Sequence, residues 1–335
     1  MHVTVLTTDP SGHLPTDEQR EGVTVRRIRG SPRRLGLDVA RALYRRIACG
    51  QWDVVHVQSY HTFVAPIAML SALRARVPYV LTFHSGGHSS SLRHRGRPLQ
   101  RAVLRPLFGR AERLIGTASF EITGYMRELR LPAELFALIP NGMEAPTDRE
   151  AREPPIHGLI ASVGRLERYK GHHRVISALP FVLEHEPAAR LWIAGTGPYE
   201  GELRKLAQRL GIDHRVEIRA VASDRHSAML HELGKVQLVV LLSDFETHPI
   251  AALEALTVGR PLIVADGSGL GELGRQGLAR LVDRDAPPAT VAAAIVEELR
   301  TPTKAPRVEP FTWDDCAAQL LTLYQTVRAQ ARCAS

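Results

Sequence analysis

The 335-residue sequence has few cysteines, few lysines and no long apolar run. Its three cysteines, Cys49, Cys316 and Cys333, are too few and too scattered for a disulfide framework or a zinc site, and we expect ordinary reduced thiols. The longest apolar candidate, Val236–Leu242, has only the length of a strand, whereas a membrane span needs roughly 20 residues. The N-terminus also lacks the charged-then-apolar pattern of a signal peptide. We therefore expect a cytoplasmic chain of two domains, at roughly 100–200 residues per domain.

Lysine occurs only four times, so the net charge of +8 comes from arginine, and it is unevenly distributed. Residues 1–150 carry 21 basic against 13 acidic side chains, whereas residues 151–335 carry 22 of each. This asymmetry suggests two halves with different roles. The basic half contains two arginine groups, which are Arg26, Arg27, Arg29, Arg33, Arg34 and Arg93, Arg95, Arg97, Arg101, Arg105.

Such a basic half could contact an anionic membrane surface peripherally, or it could bind an anionic acceptor. Arg101 and Arg105 are predicted to share a helix with Leu104 and Phe108, a pattern typical of interfacial helices. The alternative is an ordinary solvated, arginine-rich surface. Nucleic-acid binding is disfavoured, because the chain has no aromatic-rich basic sheet and no recognition-helix pattern.

Strand-like and helix-like segments alternate along the whole chain, which predicts parallel sheets covered by helices on both faces. The fold class is therefore α/β, with two doubly wound units. We expect an N-terminal domain at 1–142 and a linker at 143–155, where the chain becomes charged and proline-containing. A second domain at 156–310 and a final helix within 311–335 complete the chain.

In an open parallel sheet, ligands bind beyond the carboxyl ends of the strands. The segment after the strand Leu159–Val163 contains Arg165 and Lys170, a planar fork of donors and a mobile point charge that together suit a diphosphate. The alternative is two solvated charges on a loop. After the next strand, Gly195 and Gly197 would let backbone amides approach phosphate or sugar oxygens, although a tight turn needed only for packing explains them equally well. The third glycine of a dinucleotide fingerprint is missing, which disfavours a nicotinamide or flavin enzyme.

Two glutamates flank the start of a predicted apolar helix at Ile250–Val258. Glu246 precedes that helix and Glu254 lies inside it, roughly 12 Å away if the span is mostly helical. That distance is too long for a glycoside-hydrolase pair but suits two parts of one long ligand. A charge at Glu254 needs a partner or a ligand. In the first half, His84 ends a strand and precedes two glycines, so it is either a site residue or a structural histidine.

Together these motifs resemble the retaining glycosyltransferases of family 4 (GT4). The resemblance rests on Gly164-Arg165 with Lys170-Gly171, the Gly195-Thr196-Gly197-Pro198 turn, and Glu246 with Glu254. It is strengthened by Gly259-Arg260-Pro261, Glu272, Ile139-Pro140-Asn141-Gly142 and Phe311-Thr312-Trp313, and it runs in order along residues 1–328.

The resemblance implies a GT-B fold, in which two Rossmann-like domains face each other across a cleft and the C-terminal helix crosses back to the first domain. It implies a UDP- or GDP-sugar as co-substrate, and transfer of a hexose-type sugar with retention to a lipid, glycan or small metabolite. No cofactor and no obligatory metal are expected, with Mg²⁺ optional. By motif position, Arg165 and Lys170 would bind the diphosphate, Glu254 the ribose and Glu246 the transferred sugar. Near the sugar and phosphates the resemblance places His84 and the backbone of Thr247, His248, Pro249 and Ile250.

The sequence departs from the family in two places. Thr247-His248-Pro249 stands where the family usually has Gly-Phe-Gly, so an amide donor is lost at Pro249. Val3–Thr8 resembles the family's second strand, and the first strand, its glycine-rich loop and the following helix have no counterpart in residues 1–335. Two alternatives therefore stay open. One is a catalytically silent nucleotide-sugar-binding or interaction protein, and the other is a different GT-B activity such as a sugar-nucleotide epimerase.

Overall fold

A computed structural model describes residues 1–30, 37–84, 91–146, 154–221, 226–303 and 308–334. Its contacts divide the chain into two compact units. The first unit contains most of residues 1–139 together with Ala318–Ser335, and the second contains Pro140–Ala317. Arg33, Arg34 and most of the expected linker lie outside the described residues.

The strands of the first unit form two separate sheets. Strands β1 (Thr4–Asp9), β2 (Asp17–Arg20) and β3 (Val23–Arg29) form a three-stranded sheet of order β1-β3-β2, in which β1 runs parallel and β2 antiparallel to β3. A four-stranded parallel sheet follows in sequence order, with β4 (Val55–Gln58), β5 (Tyr79–Thr82), β6 (Arg113–Gly116) and β7 (Phe136–Leu138). A cavity of about 570 Å³ is lined by the start of β1 and by the residues that lead into β4.

Four helices accompany these sheets, namely α1 (Leu37–Ala48), α2 (Val64–Ala75), α3 (Ser91–Phe108) and α4 (Ser119–Leu129). One apolar core joins the two sheets to the helices, since Ile28 of β3, Leu43 of α1 and Leu81 of β5 belong to the same buried cluster.

The described part of α3 does not have the interfacial arrangement expected from its sequence. Leu104 and Phe108 are buried in the core of the unit. Arg101 forms an ion pair with Glu128 at 2.6 Å, and the Arg105 Nε donates to the Leu129 carbonyl at 2.6 Å. The prediction for this face of the helix was therefore wrong, because its apolar side chains pack inward and its arginines bind other parts of the same unit.

The second unit contains one six-stranded parallel sheet of order β10-β9-β8-β11-β12-β13. Its strands are β8 (Leu159–Val163), β9 (Arg190–Ala194), β10 (Val216–Arg219), β11 (Leu238–Leu241), β12 (Leu262–Ala265) and β13 (Arg280–Val282). Its helices are α5 (His172–Leu183), α6 (Glu200–Arg209), α7 (His226–Lys235), α8 (Ile250–Thr257), α9 (Ser268–Arg275) and α10 (Pro288–Arg300). Two buried apolar clusters pack against this sheet, one containing α5 and α10 and the other α7 and α8.

The last helix, α11 (Trp313–Ala334), begins in the second unit, and from Ala318 onward it belongs to the first. Thr312 and Asp315 cap its start, because the Thr312 backbone N–H donates to the Asp315 carboxylate at 2.8 Å and the Asp315 N–H donates to the Thr312 hydroxyl at 3.1 Å. Further along α11, Tyr324 contacts His56 and Arg328 pairs with Asp53 at 3.2 Å, both within the first unit. Among the described helices, none combines the length and the hydropathy that a membrane span requires.

Candidate functional site

The sheet of the second unit defines where a ligand is expected to bind. Its strand order reverses between β8 and β11, which are adjacent in the sheet although two strands, β9 and β10, lie between them in the sequence. Connections on the two sides of such a switch point leave opposite faces of the sheet, so a crevice opens at the carboxyl ends of the two strands. The loop after β8 contains Arg165 and Lys170, and the loop after β11 contains Glu246.

Contact between these two loops is made by an ion pair. The Lys170 Nζ lies 2.5 Å from the Glu246 Oε1, and both side chains are largely buried, with 14% and 19% of their areas exposed. The Ser243 hydroxyl donates to the same Glu246 oxygen at 2.9 Å. Sequence reasoning proposed Lys170 and Glu246 for two separate parts of a ligand, and the structure brings their charged atoms together.

Arg165 is the more exposed cation, with 63% of its side chain accessible. Its guanidinium donates to the Tyr169 hydroxyl at 2.6 Å and pairs with Glu167 at 2.8 Å, so it is held at the surface of the loop. Lys170 also lies 5.5 Å from the centre of the Tyr169 ring. Tyr169 therefore contacts both residues that are predicted to bind the diphosphate, Arg165 and Lys170. The sequence did not indicate this role.

The two glycines after β9 allow the loops of β8 and β9 to pack closely. The Gly164 N–H donates to the Ala194 carbonyl at 3.0 Å, and the Leu166 N–H donates to the Thr196 carbonyl at 2.9 Å. A Cβ atom at Gly195 would lie 2.0 Å from the Gly164 carbonyl oxygen, and one at Gly197 would lie 2.5 Å from the Leu166 carbonyl oxygen. Close backbone packing is thus sufficient to explain both glycines, and it fixes the loop that carries Arg165.

Residues after β12 support the Glu246 loop, and sequence reasoning did not select them. The Glu246 N–H donates to the Ser268 hydroxyl at 2.9 Å, and the Gly269 N–H donates to the Glu246 carbonyl at 2.8 Å. A Cβ at Gly269 would lie 2.4 Å from the Thr247 carbonyl oxygen. The sequence feature that could have identified these residues is the Gly267-Ser268-Gly269 run that follows β12.

The segment between Glu246 and α8 offers fewer backbone donors than the resemblance implied. Pro249 has no N–H, and the Ile250 N–H already donates to the His248 carbonyl at 2.9 Å. The expected amide contacts to a ligand are therefore reduced to Thr247 and His248. Burial lowers the pKa of the His248 imidazole, which keeps that ring neutral at neutral pH.

Glu254 lies in the second turn of α8, and only 7% of its area is exposed. Its helix neighbours Ala252, Ala255 and Leu256 are fully buried. A carboxylate in such surroundings is costly unless donors bind it.

In the first unit, His84 follows β5 and has a left-handed backbone conformation with φ of 45°. Its Nε2 donates to the Gln58 side-chain carbonyl at 2.5 Å, so the carboxyl ends of β5 and β4 are linked. Partial desolvation lowers the pKa of the His84 ring, although part of its surface is solvent-exposed. The neutral ring then has Nδ1 as an acceptor.

A second histidine of this unit, His56, is fixed from two sides. Its Nε2 lies 2.7 Å from the Thr82 hydroxyl and its Nδ1 lies 2.5 Å from the Tyr324 hydroxyl. Burial lowers its pKa to about 4. Sequence reasoning did not select His56 or Gln58.

Within the described ranges, no group of three or more His, Cys, Asp or Glu side chains is placed to hold a metal ion.

Comparison with known families agrees with this geometry over nearly the whole chain. Residues 1–145 match the family model described as Glycosyltransferase Family 4, and residues 147–307 match the model described as Glycosyl transferases group 1. The glycogen synthase of Mycobacterium tuberculosis is 31% identical over 364 residues, which is 97% of this chain and 85% of the relative.

Two solved structures share the fold. Sucrose-phosphate synthase from Thermosynechococcus elongatus has a TM-score of 0.75 at 20% identity, covering 98% of this chain and 90% of the other. Anabaena Alr3699/HepE, solved in complex with UDP and glucose, has a TM-score of 0.70 at 17% identity, covering 97% and 100%. The fold and the site thus define a glycosyltransferase that uses a nucleotide sugar. The chain belongs to glycosyltransferase family 4 and has the GT-B fold.

Proposed function

We propose that this protein transfers a hexose-type sugar from a UDP- or GDP-sugar to a hydroxyl-bearing acceptor, with retention of anomeric configuration. The observation that carries the proposal is the contact between Lys170 and Glu246 at the switch point of the second sheet. A cation and a carboxylate in that position match the two chemical parts of the donor, its diphosphate and its sugar hydroxyls.

Charge stabilisation is the main task of the site in this proposal. Cleavage of the bond between sugar and diphosphate leaves additional negative charge on the diphosphate, and fixed cations stabilise that charge. Lys170 is held in place by Glu246, and Arg165 by Tyr169 and Glu167, so both cations are positioned before the ligand arrives. Glu246 would then accept hydrogen bonds from the sugar, and the buried Glu254 would accept them from the ribose.

The proposal includes turnover without an obligatory metal, because the two cations supply the positive charge that a metal would otherwise provide. Activity should therefore persist after dialysis against EDTA. A loss of at least tenfold that is restored by Mg²⁺ would contradict this part of the proposal.

Calorimetric titration of the 335-residue chain with UDP and with GDP tests the donor site. We expect one nucleotide to bind at one site per chain, and we expect Lys170→Ala to weaken it at least tenfold. Lys205→Ala is the matched control, since Lys205 lies in the same unit and forms an exposed pair with Glu202. Absence of binding to the folded chain, or equal affinity in both variants, would contradict the proposal.

A second element of the proposal concerns peripheral contact with an anionic membrane. Among the large apolar residues in the described part of α3, Leu99 and Val103 are exposed, with 71% and 68% of their areas accessible, and they lie one turn apart. Arg110 at the end of α3 is exposed as well. This face, rather than the one predicted from Arg101 and Arg105, has the apolar and basic composition of an interfacial surface.

Sedimentation with lipid vesicles tests that contact. We expect binding to vesicles that contain phosphatidylglycerol, little binding to pure phosphatidylcholine, and loss of binding in the Leu99→Gln/Val103→Gln variant. Leu210→Gln, at an exposed apolar position of the second unit, is the control. Equal sedimentation of all three proteins would exclude a role for α3.

A further inference from the structure

A second cavity lies in the second unit, at the end of the sheet opposite to the donor site. Its volume is about 460 Å³, within the usual range for small-molecule sites. Leu159, Arg190 and Val216, which are the first residues of β8, β9 and β10, line it. Since each residue of a strand adds about 3.3 Å, the five residues of β8 separate this cavity by roughly 13 Å from the loop that holds Arg165.

The charges that line the cavity are unbalanced. Arg219 pairs with Glu217 at 2.7 Å and with Glu232, and Lys235 pairs with Glu232 at 2.7 Å, so both carboxylates of the cavity are neutralised. Arg190 and Arg215 also line it, and neither guanidinium has a hydrogen bond or an ion pair within the described part of the chain. Two positive charges therefore remain without a counter-ion at the same cavity.

Trp192 forms part of the cavity wall. It is 2% exposed, and its indole N–H is closed to solvent. The Arg219 guanidinium lies 4.6 Å from the centre of the Trp192 ring, a cation–π contact that holds both side chains in place. Trp192 therefore contributes a fixed aromatic ring to the wall, next to one of the cations of the cavity.

The remaining wall of the cavity is apolar. Ile156, Leu159, Leu191 and Val216 provide it. The cavity thus combines an apolar wall with surplus cations, and its carboxylates are already paired. These features complement a small molecule with an apolar body and an anionic group rich in acceptors.

We propose that this cavity is a second binding site that accepts a small organic phosphate monoester, independently of the nucleotide-sugar donor. Arg190 and Arg215 bind the phosphate, and the apolar wall with Trp192 covers the organic part.

Fluorescence of Trp192 offers a direct test, because the chain has only three tryptophans. In the Trp52→Phe/Trp313→Phe variant Trp192 is the only one, and titration with phenyl phosphate should change its emission in a saturable manner. Phenol, which lacks the phosphate, should cause no saturable change. The Arg190→Gln/Arg215→Gln substitutions should raise the dissociation constant at least tenfold, whereas Arg209→Gln, at an exposed position of the same unit, should not.

Two further binding measurements distinguish this site from the donor site. Saturating UDP should leave the affinity for phenyl phosphate unchanged, and Lys170→Ala should retain it. Calorimetry on the chain with all three tryptophans should give the same dissociation constant, which shows that the substitutions of Trp52 and Trp313 do not create the site. Competition by UDP, unchanged affinity in the Arg190→Gln/Arg215→Gln variant, or no binding by calorimetry would overturn the proposal.

Discussion

Replacement of Lys170 by methionine is the most informative perturbation of the donor site. Methionine keeps much of the length and apolar volume of lysine but removes the charge, which leaves the Glu246 carboxylate with Ser243 as its donor. Loss of one partner costs about 3–5 kcal/mol for a fully buried ion pair and about 0–1 kcal/mol for an exposed one. Because 14% and 19% of the two side chains are exposed, we expect the free energy of unfolding to fall by about 1–3 kcal/mol.

The effect of Lys170→Met on nucleotide affinity should be separable from its effect on the free energy of unfolding. A hydrogen bond to a charged group contributes about 1.5–3 kcal/mol, so Lys170→Met should raise the dissociation constant of the preferred nucleoside diphosphate about 10- to 150-fold. Glu246→Gln should leave the affinity for the free diphosphate within about threefold, because that carboxylate is proposed to contact the sugar.

A double-mutant cycle provides the assay. Chemical denaturation of the original chain, Lys170→Met, Glu246→Gln and the double variant should give a coupling energy of about 1–2 kcal/mol, since neither residue leaves an unpaired charge once both are changed. Calorimetry on the same four proteins gives the affinities. Wild-type diphosphate affinity in a folded Lys170→Met protein, or a coupling energy near zero, would refute the reasoning.

Four further outcomes follow from the same contacts. Glu254→Gln should weaken nucleotide binding at least tenfold by calorimetry, and an unchanged affinity would remove Glu254 from the site. Gly195→Ala places a Cβ 2.0 Å from a backbone oxygen, so it should destabilise the second unit and lower nucleotide affinity, measured by thermal unfolding and calorimetry. His84→Asn should lower turnover at least tenfold while UDP affinity stays within about twofold, and equal losses of both would argue against a role limited to the sugar. Burial lowers the pKa of His172 to about 4, so the unfolded state binds more protons below pH 6.5 and stability falls with falling pH. Between pH 7.5 and 5 the contribution of His172 to that loss should be about 2 kcal/mol, and His172→Asn should reduce the measured loss by that amount, as equilibrium unfolding at both pH values would show.

The strands of the second unit were predictable because their apolar runs are bounded by turn residues. The strand Leu159–Val163 was predicted with the bounds that the structure has for β8. Such buried parallel strands carry a local signal that needs no knowledge of their neighbours.

Elements without such a signal were missed. Strand β2 is the polar sequence Asp17–Arg20, and it forms only by pairing with β3 at the edge of the sheet. Helix α9 contains Gly269, Gly271 and Gly274, which have low helix propensity, and α10 is buried on most of its sides, so it lacks a clear polar face. In each case a tertiary contact determines the structure.

The candidate site likewise combines residues that could be predicted from the sequence with partners that could not. The types and positions of Lys170, Glu246 and Glu254 marked them as candidates, because a charge inside an apolar helix needs a partner or a ligand and ligands bind beyond strand ends. Their partners could not be predicted, since Ser243, Ser268 and Tyr169 are defined only by how three loops converge at one edge of the sheet. The orientation of α3 was mispredicted for a similar reason, because Leu104 and Phe108 fit the core and an interfacial surface equally well by pattern alone.

Product analysis tests the central claim most directly. The 335-residue chain would be incubated with UDP- and GDP-linked hexoses and a panel of alcohol acceptors, and the anomeric configuration of the product would be read by proton NMR. We predict release of one nucleoside diphosphate, a product with the anomeric configuration of the donor sugar, and loss of both in Lys170→Met but not in Lys205→Met. An inverted product would contradict the retaining mechanism, and nucleotide binding without any sugar transfer or nucleotide release across the panel would contradict the assignment as an active transferase.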